Sequence, residues 1–106
     1  MMGIRRMRVW IDPDALQELR HSPGHVRQRL HRLALALGDN PRPAKSKPLT
    51  PPEGWPDFLE LRRLRVDAWR ILYVIDTEWD MITILAVRKR PPYDYADLQQ
   101  LLDKLR

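Results

Sequence analysis

The alternation of hydrophobic and polar residues predicts where the chain forms strands and helices. Residues 4–11 alternate with period two, which is typical of a half-buried strand. Asp12 and Pro13 then switch the chain to a helix over about residues 13–20, because aspartate caps a first turn and proline suits the first helical position. An apolar stripe at helical spacing predicts a second helix over about residues 23–37.

Three further strands are predicted in the second half of the chain, over about residues 58–65, 69–76 and 80–88. The turns between them are short, so these strands should pair antiparallel as a meander. The strand at residues 69–76 is apolar on both faces and should therefore lie in the centre of the sheet. A last helix is expected over about residues 94–105, where leucines recur on one stripe.

The element order is therefore β-α-α-β-β-β-α, and the fold class is α+β. We expect a four-stranded, mostly antiparallel sheet with the N-terminal helical hairpin on one face, the first strand inserted beside a later one, and a short C-terminal helix. With helices on one face, the other face is left open for charged side chains. At 106 residues the chain is long enough for one modest core, so we expect a single domain over residues 1–106.

A proline-rich segment separates the second helix from the meander. Residues 39–57 hold six of the ten prolines in the chain, together with Lys45 and Lys47. Proline fixes φ and removes a hydrogen-bond donor, so the segment is predicted to be a stiff loop without regular structure. Two interpretations are open for it: a solvated linker between helix and sheet, or a basic arm that reaches a substrate.

The charge balance favours an anionic partner. The chain carries 19 lysines and arginines against 14 acidic residues, a formal net charge of +5, which suits nucleic acid, an acidic protein or a lipid surface. No cysteine is present, which excludes disulfides and thiolate metal sites. No segment resembles a signal peptide or is long and apolar enough to span a membrane, so we expect a cytoplasmic protein with no membrane partner.

The histidines, which are the usual acids and bases of active sites, show no catalytic spacing, so the cations on the strands are the remaining candidates for function. The three histidines lie before or on the second helix without the spacing of a metal site, so we expect neither a metal ion nor a cofactor. Guanidinium groups bind phosphates bidentately and stay protonated, so a basic surface on the strands is predicted to hold RNA. Protection of edge strands explains some of these charges, but not Arg70 on a central strand. The strand cations are Arg62, Arg63, Arg65, Arg70, Arg88, Lys89 and Arg90.

Two stretches carry motifs that occur together in one group of proteins. In the run RLRVDAWRILYVID, residues 69–73 form an aromatic-Arg-aliphatic-aliphatic-Tyr motif. The run AVRKRPPYDY places a basic cluster, residues 88–90, before Tyr93 and Tyr95. In this order the two motifs resemble the RelE family of toxins from toxin–antitoxin systems, within the RelE/ParE superfamily. The predicted element order resembles the same family over nearly the whole chain.

The resemblance implies a ribosome-dependent endoribonuclease that cuts mRNA in the ribosomal A site, with the 2′-hydroxyl as nucleophile and no metal. It implies that Arg70 binds the scissile phosphate, and that Arg90 stabilises the transition state or assists the leaving 5′-oxygen. A tyrosine that stacks on or orients the nucleotide corresponds to Tyr93 or Tyr95, and the spacing does not choose between them. The implied partners are a cognate acidic antitoxin protein, the ribosome and its mRNA.

The identity of the general base departs from the family pattern. RelE-like toxins carry lysines on the first strand of the meander, where this chain offers arginines. An arginine is a poor base, because the pKa of a guanidinium lies far above neutrality. Lys89, or a lysine from the proline-rich segment, is left for that role. The remaining cations are expected to bind the RNA backbone: Arg62, Arg63, Arg88, Lys45 and Lys47.

Three rival functions stay open. A ParE-like toxin would inhibit DNA gyrase without catalysis and would not need Arg70 or Arg90. A non-catalytic RNA-binding module would use aromatic residues as stacking platforms. An inactive family member would retain only the binding of its antitoxin. The candidate platforms are Trp10, Trp55, Trp69 and Tyr93.

Overall fold

The fold is a mixed five-stranded sheet with helices on both faces. The computed structural model describes residues 6–105. Its strands lie in the order β1-β5-β4-β3-β2, with β1 parallel to β5 and every other neighbouring pair antiparallel. No helix in this part of the chain is long and apolar enough to cross a membrane. The elements are β1 (Arg8–Ile11), α1 (Pro13–Arg20), α2 (Gly24–Ala36), β2 (Ser46–Pro48), β3 (Leu59–Val66), β4 (Trp69–Asp76), β5 (Met81–Lys89) and α3 (Leu98–Asp103).

Local sequence explains how the helical hairpin begins and ends. Asp12 caps α1 by accepting a hydrogen bond from the Asp14 N–H at 3.0 Å, and Pro13 occupies the first position, as predicted. Gly38 forms the turn after α2. A Cβ atom at this position would lie 2.5 Å from the carbonyl oxygen of Met7, so only glycine lets the turn pack this closely on the chain before β1.

Most predicted boundaries are confirmed to within one residue, and the exceptions are the start of β1 and the bounds of α3. Residues 6 and 7 of the predicted first strand precede β1 and are not part of it. Both hairpin helices and the three meander strands begin and end within one residue of the prediction. The predicted last helix, residues 94–105, shortens to Leu98–Asp103. Tyr95 adopts a φ of +64°, which an α-helix does not contain, so the chain enters the helix only after this residue. Residues 4 and 5 of the predicted first strand lie outside the described residues.

Two clusters of buried residues cover the two faces of the sheet. The prediction that the helices lie on one face and leave the other open is wrong, because α3 packs on the second face through Leu101 and Leu102. Strand β4 is buried over residues 71–75, which confirms its predicted central place. On the α1/α2 face the sheet contributes Leu64, Val66, Ile71, Tyr73, Ile75, Ile82, Ile84 and Val87. On the α3 face it contributes Leu61, Leu72, Val74, Leu85 and Ala86.

The prediction of a four-stranded sheet is wrong by one strand. Within the proline-rich segment, predicted to be an irregular loop, β2 (Ser46–Pro48) pairs antiparallel with β3 at the edge of the sheet. An edge strand tolerates proline because its outer side needs no donor. The Ser46 N–H donates to the carbonyl oxygen of Pro43 at 2.9 Å, and Pro48 has no N–H, so neither residue offers a donor to a further strand.

Strand β5 contains a bulge that changes which side chains face each layer. Leu72 pairs with Ala86 and Tyr73 pairs with Ile84, so Leu85 has no partner across the ladder. Leu85 and Ala86 consequently both belong to the cluster under α3. Strict alternation, which would place Ala86 on the side of Ile84, therefore does not hold along this strand.

Leu30 and Leu35 provide a test of which face of α2 is buried. Leu30 is completely buried in the α1/α2 cluster, whereas Leu35 is 46% exposed. The substitution Leu30→Ala should lower the free energy of unfolding by about 2–5 kcal/mol, because it leaves a cavity. The control Leu35→Ala should change it by less than about 0.5 kcal/mol. Urea unfolding measures both values, and similar losses in the two variants would contradict this placement.

Candidate nucleic-acid interface

The register of the sheet gathers five cations on the face that carries α3. Arg65, Arg70 and Arg88 lie side by side across three strands. Arg63 pairs with Leu72, which packs in the cluster under α3, and paired residues share a face. Neighbouring strands lie about 4.8 Å apart, so cations on β2 to β5 span about 14 Å. We call these five residues the cationic strip: Lys47, Arg63, Arg65, Arg70 and Arg88.

Arg90 lies beside the turn that joins β3 and β4. Its N–H donates to the carbonyl oxygen of Ala68 at 2.7 Å, so the chain after β5 returns to this turn. Asp67 in the same turn has a φ of +53°, a left-handed conformation that aspartate tolerates better than most residues. The end of the sheet that carries Arg65 and Arg70 therefore also receives Arg90.

Arg70 is held to the backbone and retains an unused donor. Its Nη1 donates to the carbonyl oxygens of Asp67 and Trp69, both at 3.0 Å. Its Nε is buried and has no hydrogen-bond partner among the described residues, and no carboxylate in residues 6–105 pairs with it. A buried donor without an acceptor costs about 1–3 kcal/mol. Arg70 is therefore oriented by its surroundings without being neutralised by them.

Arg88 joins three elements of the fold. Its Nε forms a short ion pair with Glu18 on α1, and its Nη1 pairs with Asp97 at 2.7 Å, directly before α3. Glu18 also accepts a hydrogen bond from the Val87 N–H at 3.0 Å. Burial disfavours the charge of Arg88, but its hydrogen bonds to Asp97 and Glu18 outweigh that effect and raise its pKa. Its guanidinium, which was expected to bind RNA, is engaged with two carboxylates.

Tyr93 is fixed by the same network. Its hydroxyl donates to Asp97 Oδ1 at 2.8 Å, and the guanidinium carbon of Arg88 lies 5.0 Å from the centre of its ring. Burial, and then the hydrogen bond and charge of Asp97, raise the pKa of Tyr93 well above its usual range. The phenol therefore stays protonated, and its proton is committed to Asp97.

Tyr95 has the opposite character. Its hydroxyl is buried and has no hydrogen-bond partner within the described part of the chain. Its ring packs edge to face on Tyr93 with 4.9 Å between centroids, and the guanidinium carbon of Arg90 lies 5.3 Å from its centre. The sequence left Tyr93 and Tyr95 as alternatives. The geometry separates them, because only the hydroxyl of Tyr95 is uncommitted.

Arg62 lies on the opposite face of the sheet from the cationic strip. It pairs across the ladder with Tyr73 in the α1/α2 cluster, and its side chain is only 11% exposed. It donates to Glu60 at 2.6 Å and to the hydroxyl of Ser46 at 2.9 Å. A hydrogen bond from Arg42, followed by one from Arg62, lowers the pKa of Glu60 against the effect of burial. Arg62 therefore takes part in an ion pair that supports the β2–β3 edge.

Lys89 is likewise separated from Arg70. It pairs with Trp69, which packs against the α1/α2 cluster, whereas Arg70 points to the α3 face. The bulge at Leu85 produces this arrangement by turning Arg88 to the α3 face. Lys47 is on the α3 face, since it pairs with Arg63. Of the lysines considered as a base, Lys47 is the one that belongs to the cationic strip.

Sequence reasoning missed Glu18 and Asp97, which hold Arg88 and Tyr93. Glu18 lies 70 residues before Arg88, and neither acid is part of a recognisable spacing. From the sequence, Glu18 could be recognised only as an acidic residue on a helix, because nothing in the sequence identified its partner. Within residues 6–105, no group of three or more His, Asp or Glu side chains is arranged to hold a metal ion.

The chain is similar to toxins of toxin–antitoxin systems. The family model described as the ParE toxin of type II toxin-antitoxin system, parDE, matches residues 9–91. None of the curated proteins matches the chain in sequence.

Solved structures of RelE toxins have the same fold. The RelE–RelB complex from Pyrococcus horikoshii has a TM-score of 0.70 at 22% identity, covering 83% of this chain and 99% of that chain. The RelBE2 complex from Mycobacterium tuberculosis has a TM-score of 0.66 at 24% identity, covering 83% and 95%. A double-arginine mutant of E. coli RelE in the free state has a TM-score of 0.63 at 22% identity, covering 94% and 97%.

Substitution of Asp97 tests the network around Tyr93. The substitution Asp97→Asn should lower the pKa of Tyr93, because it removes the carboxylate charge that, together with burial, disfavours the phenolate. Carbon-13 NMR of the tyrosine rings during an alkaline titration measures the change, and Tyr93→Phe assigns the signal. The control Asp94→Asn, at an exposed neighbour whose carboxylate accepts from the Ala96 N–H and not from the Tyr93 hydroxyl, should leave the titration as in the wild type. An unchanged Tyr93 titration in the Asp97 variant would contradict the network.

Proposed function

The chain belongs to the family of ParE toxins of type II toxin–antitoxin systems, and we propose that it acts as a ribosome-dependent mRNA endoribonuclease of the RelE type. Arg70 carries this proposal. It is a half-buried arginine on a central strand, with no carboxylate partner among the described residues and with an unused Nε donor. Arg90 and the free hydroxyl of Tyr95 lie in the segment that returns to the same end of the sheet.

The electrostatics of the strip favour a polyanionic ligand. Arg63, Arg65 and Arg70 have no ion-pair partner in residues 6–105. Arg65 and Arg70 lie directly opposite each other, an arrangement of like charges that destabilises a sheet. A phosphate backbone crossing the strip relieves this repulsion, because each guanidinium gains charge-assisted hydrogen bonds to phosphate oxygens.

RNA itself supplies the nucleophile for the proposed cleavage. The 2′-oxygen attacks the adjacent phosphorus, the bond from phosphorus to the 5′-oxygen breaks, and a 2′,3′-cyclic phosphate and a 5′-hydroxyl result. A base takes the proton of the 2′-hydroxyl, and an acid or water returns a proton to the 5′-oxygen. Arg70 would hold the non-bridging oxygens, and Arg90 would stabilise the charge of the pentacoordinate transition state. Tyr95 would orient the nucleotide through its ring.

Lys47 is our candidate for the base. The strip consists of four arginines and this lysine, and a guanidinium does not release its proton near neutrality. Arg88 and Tyr93 are assigned a supporting role, since both are committed to Asp97. Lys89 and Arg62, which point to the other face, are not placed at the phosphate in this mechanism.

The proposed partners are an antitoxin and the ribosome. The complexes from Pyrococcus horikoshii and Mycobacterium tuberculosis contain a toxin bound to its antitoxin. Similarity to these structures supports an antitoxin for this chain, and its net charge of +5 favours an acidic one.

Inhibition of DNA gyrase is the second candidate function, and the family match supports it. The matching family model is that of ParE toxins. A gyrase inhibitor of this type performs no chemistry, so it would need the fold without the free donors of Arg70 and Tyr95. The two functions therefore differ in how they respond to substitution of Arg70.

The substitution Arg70→Ala should lower the rate of ribosome-dependent mRNA cleavage about 10²–10³-fold, the usual effect of removing one donor to a developing negative charge. The fold should persist, because Arg70 pairs with no carboxylate in residues 6–105. Cleavage is measured by primer extension on a reporter mRNA with purified ribosomes, and the melting temperature reports the fold. Arg8→Ala, at an exposed arginine on β1, is the matched control. A folded Arg70→Ala variant that still arrests growth and inhibits gyrase supercoiling would favour the second candidate.

Substitution of Lys47 separates proton transfer from charge. The substitution Lys47→Arg keeps the positive charge for RNA binding but removes a group able to accept a proton. We expect unchanged affinity for a short RNA, with cleavage about 10²-fold slower or more, the usual contribution of a general base. Lys104→Arg, at a lysine directly after α3 that is paired with Asp12 and Asp14, should change neither quantity. Normal cleavage by the Lys47→Arg variant would assign Lys47 to phosphate contact alone.

A further inference from the structure

A pocket of about 370 Å³ opens on the α3 face, at the end of β4 opposite to Arg70. Arg70 and Asp76 lie six positions apart on this strand, a distance of about 20 Å. No residue of the cationic strip lines the pocket. Its apolar lining includes Phe58, Leu59, Val74, Trp79 and Leu105.

The pocket carries carboxylates and no cation. Asp76 and Glu78 line it, whereas no lysine, arginine or histidine of the described residues does. Neither acid forms an ion pair within residues 6–105, although the chain has a net charge of +5. Asp76 Oδ1 accepts hydrogen bonds from the N–H groups of Glu78 at 3.0 Å and Trp79 at 2.9 Å, which fixes this carboxylate at the β4–β5 turn. The pocket therefore favours a positively charged ligand and disfavours the phosphates that suit the cationic strip.

The hydroxyl of Thr83 is an independent sign of a ligand. Thr83 is only 8% exposed and lines the pocket, yet its hydroxyl makes no hydrogen bond in the described part of the chain. Asp76 pairs with Met81, so Thr83 and Asp76 are offset by two positions along the strands, about 7 Å. Because buried hydroxyls nearly always have a partner, the missing hydrogen bond indicates a polar group of a bound molecule at this depth.

Two aromatic rings narrow the chemistry of that molecule. Phe58 and Trp79 both line the pocket and are exposed, Trp79 by 65%. Aromatic faces attract ammonium groups, and the volume lies within the range of about 300–1,000 Å³ that is usual for small-molecule sites. A metal ion would use the carboxylates and leave the apolar lining without a contact. An organic cation with an apolar body uses both features.

We propose that this pocket binds a small arylalkylamine with a hydroxyl group on its ring. The ammonium group would lie between the carboxylates of Asp76 and Glu78, beside the ring of Trp79. The aromatic body would pack on the apolar lining, and the ring hydroxyl would form a hydrogen bond with the hydroxyl of Thr83. This binding activity does not depend on the proposed ribonuclease activity, because the two sites share no residue.

The test uses 4-hydroxyphenethylamine, titrated into the nitrogen-15-labelled full chain. We expect saturable shifts of the backbone amides of Val74, Glu78 and Thr83 and of the indole N–H of Trp79. The compound 3-(4-hydroxyphenyl)propionate, which carries a carboxylate in place of the amine, should not bind. Phenethylamine, which lacks the hydroxyl, should bind about 2–10-fold more weakly, the usual effect of one neutral hydrogen bond.

Substitution of Thr83 tests where the ring hydroxyl lies. The isosteric variant Thr83→Val should weaken the binding of 4-hydroxyphenethylamine by about the same 2–10-fold, because it removes the partner of the ring hydroxyl. It should leave the affinity for phenethylamine unchanged, since that ligand makes no use of the Thr83 hydroxyl. Equal weakening for both ligands would contradict the proposed hydrogen bond.

Substitution of the two acids tests the role of charge. The double variant Asp76→Asn/Glu78→Gln keeps an oxygen that accepts from the turn but removes both charges, so affinity should fall at least about 10-fold. The matched control Glu53→Gln/Asp94→Asn removes two charges at exposed residues outside the pocket and should bind as the wild type does.

Four outcomes would overturn the proposal. They are the absence of saturable binding, equal binding of the propionate, equal weakening in the two double variants, and shifts confined to the segment of Arg90 and Tyr95. A Trp79 signal that moves with protein concentration in the absence of ligand would assign the pocket to contact with a second copy, and would likewise overturn it.

Discussion

Strands β4 and β5 are buried on both faces, and this burial decides where the chain can place its charges. A cation between Ile71 and Ile75 would lose its hydration under α1 and α2 or under α3, which costs several kcal/mol unless a partner compensates. Arg70 and Arg88 therefore lie at the strand ends, beside the β3–β4 turn. The two-sided core and the concentration of positive charge at one end of the sheet have the same origin.

Carboxylates then divide the arginines into two groups. Glu60 holds Arg62 under the β2–β3 edge, while Glu18 and Asp97 hold Arg88 between α1 and the start of α3. These pairs support the surface on which the unpaired arginines of the strip lie. A half-buried arginine with two acidic partners holds the elements around it in place. An arginine without an acidic partner is able to attract an anionic ligand.

Much of the fold follows from periodicity, and the exceptions have physical reasons. The meander and the central place of Arg70 were predictable, because alternation of apolar residues fixes strands and their faces. Strand β2 was not predictable, because its segment is rich in proline. Proline disrupts a central strand, which forms hydrogen bonds on both sides, but it is tolerated in an edge strand, which forms them on one side only. The partnership of Glu18 with Arg88 spans 70 residues and leaves no local pattern. The choice between Tyr93 and Tyr95 required the position of Asp97, which α3 and the ion pair to Arg88 determine together.

The bulge at Leu85 decides which residue of β5 lies opposite Arg70. Leu85 is the extra residue, because the residues on either side of it pair with adjacent residues of β4. In a strand of the same sequence without the bulge, every position after Leu85 would change face, since side chains alternate with period two. Val87 would then lie opposite Arg70, and Arg88 would turn towards α1 and α2. Deleting Leu85 would instead preserve the pairs of the residues that follow it, so the strand can lose this residue and keep two guanidinium groups in one row.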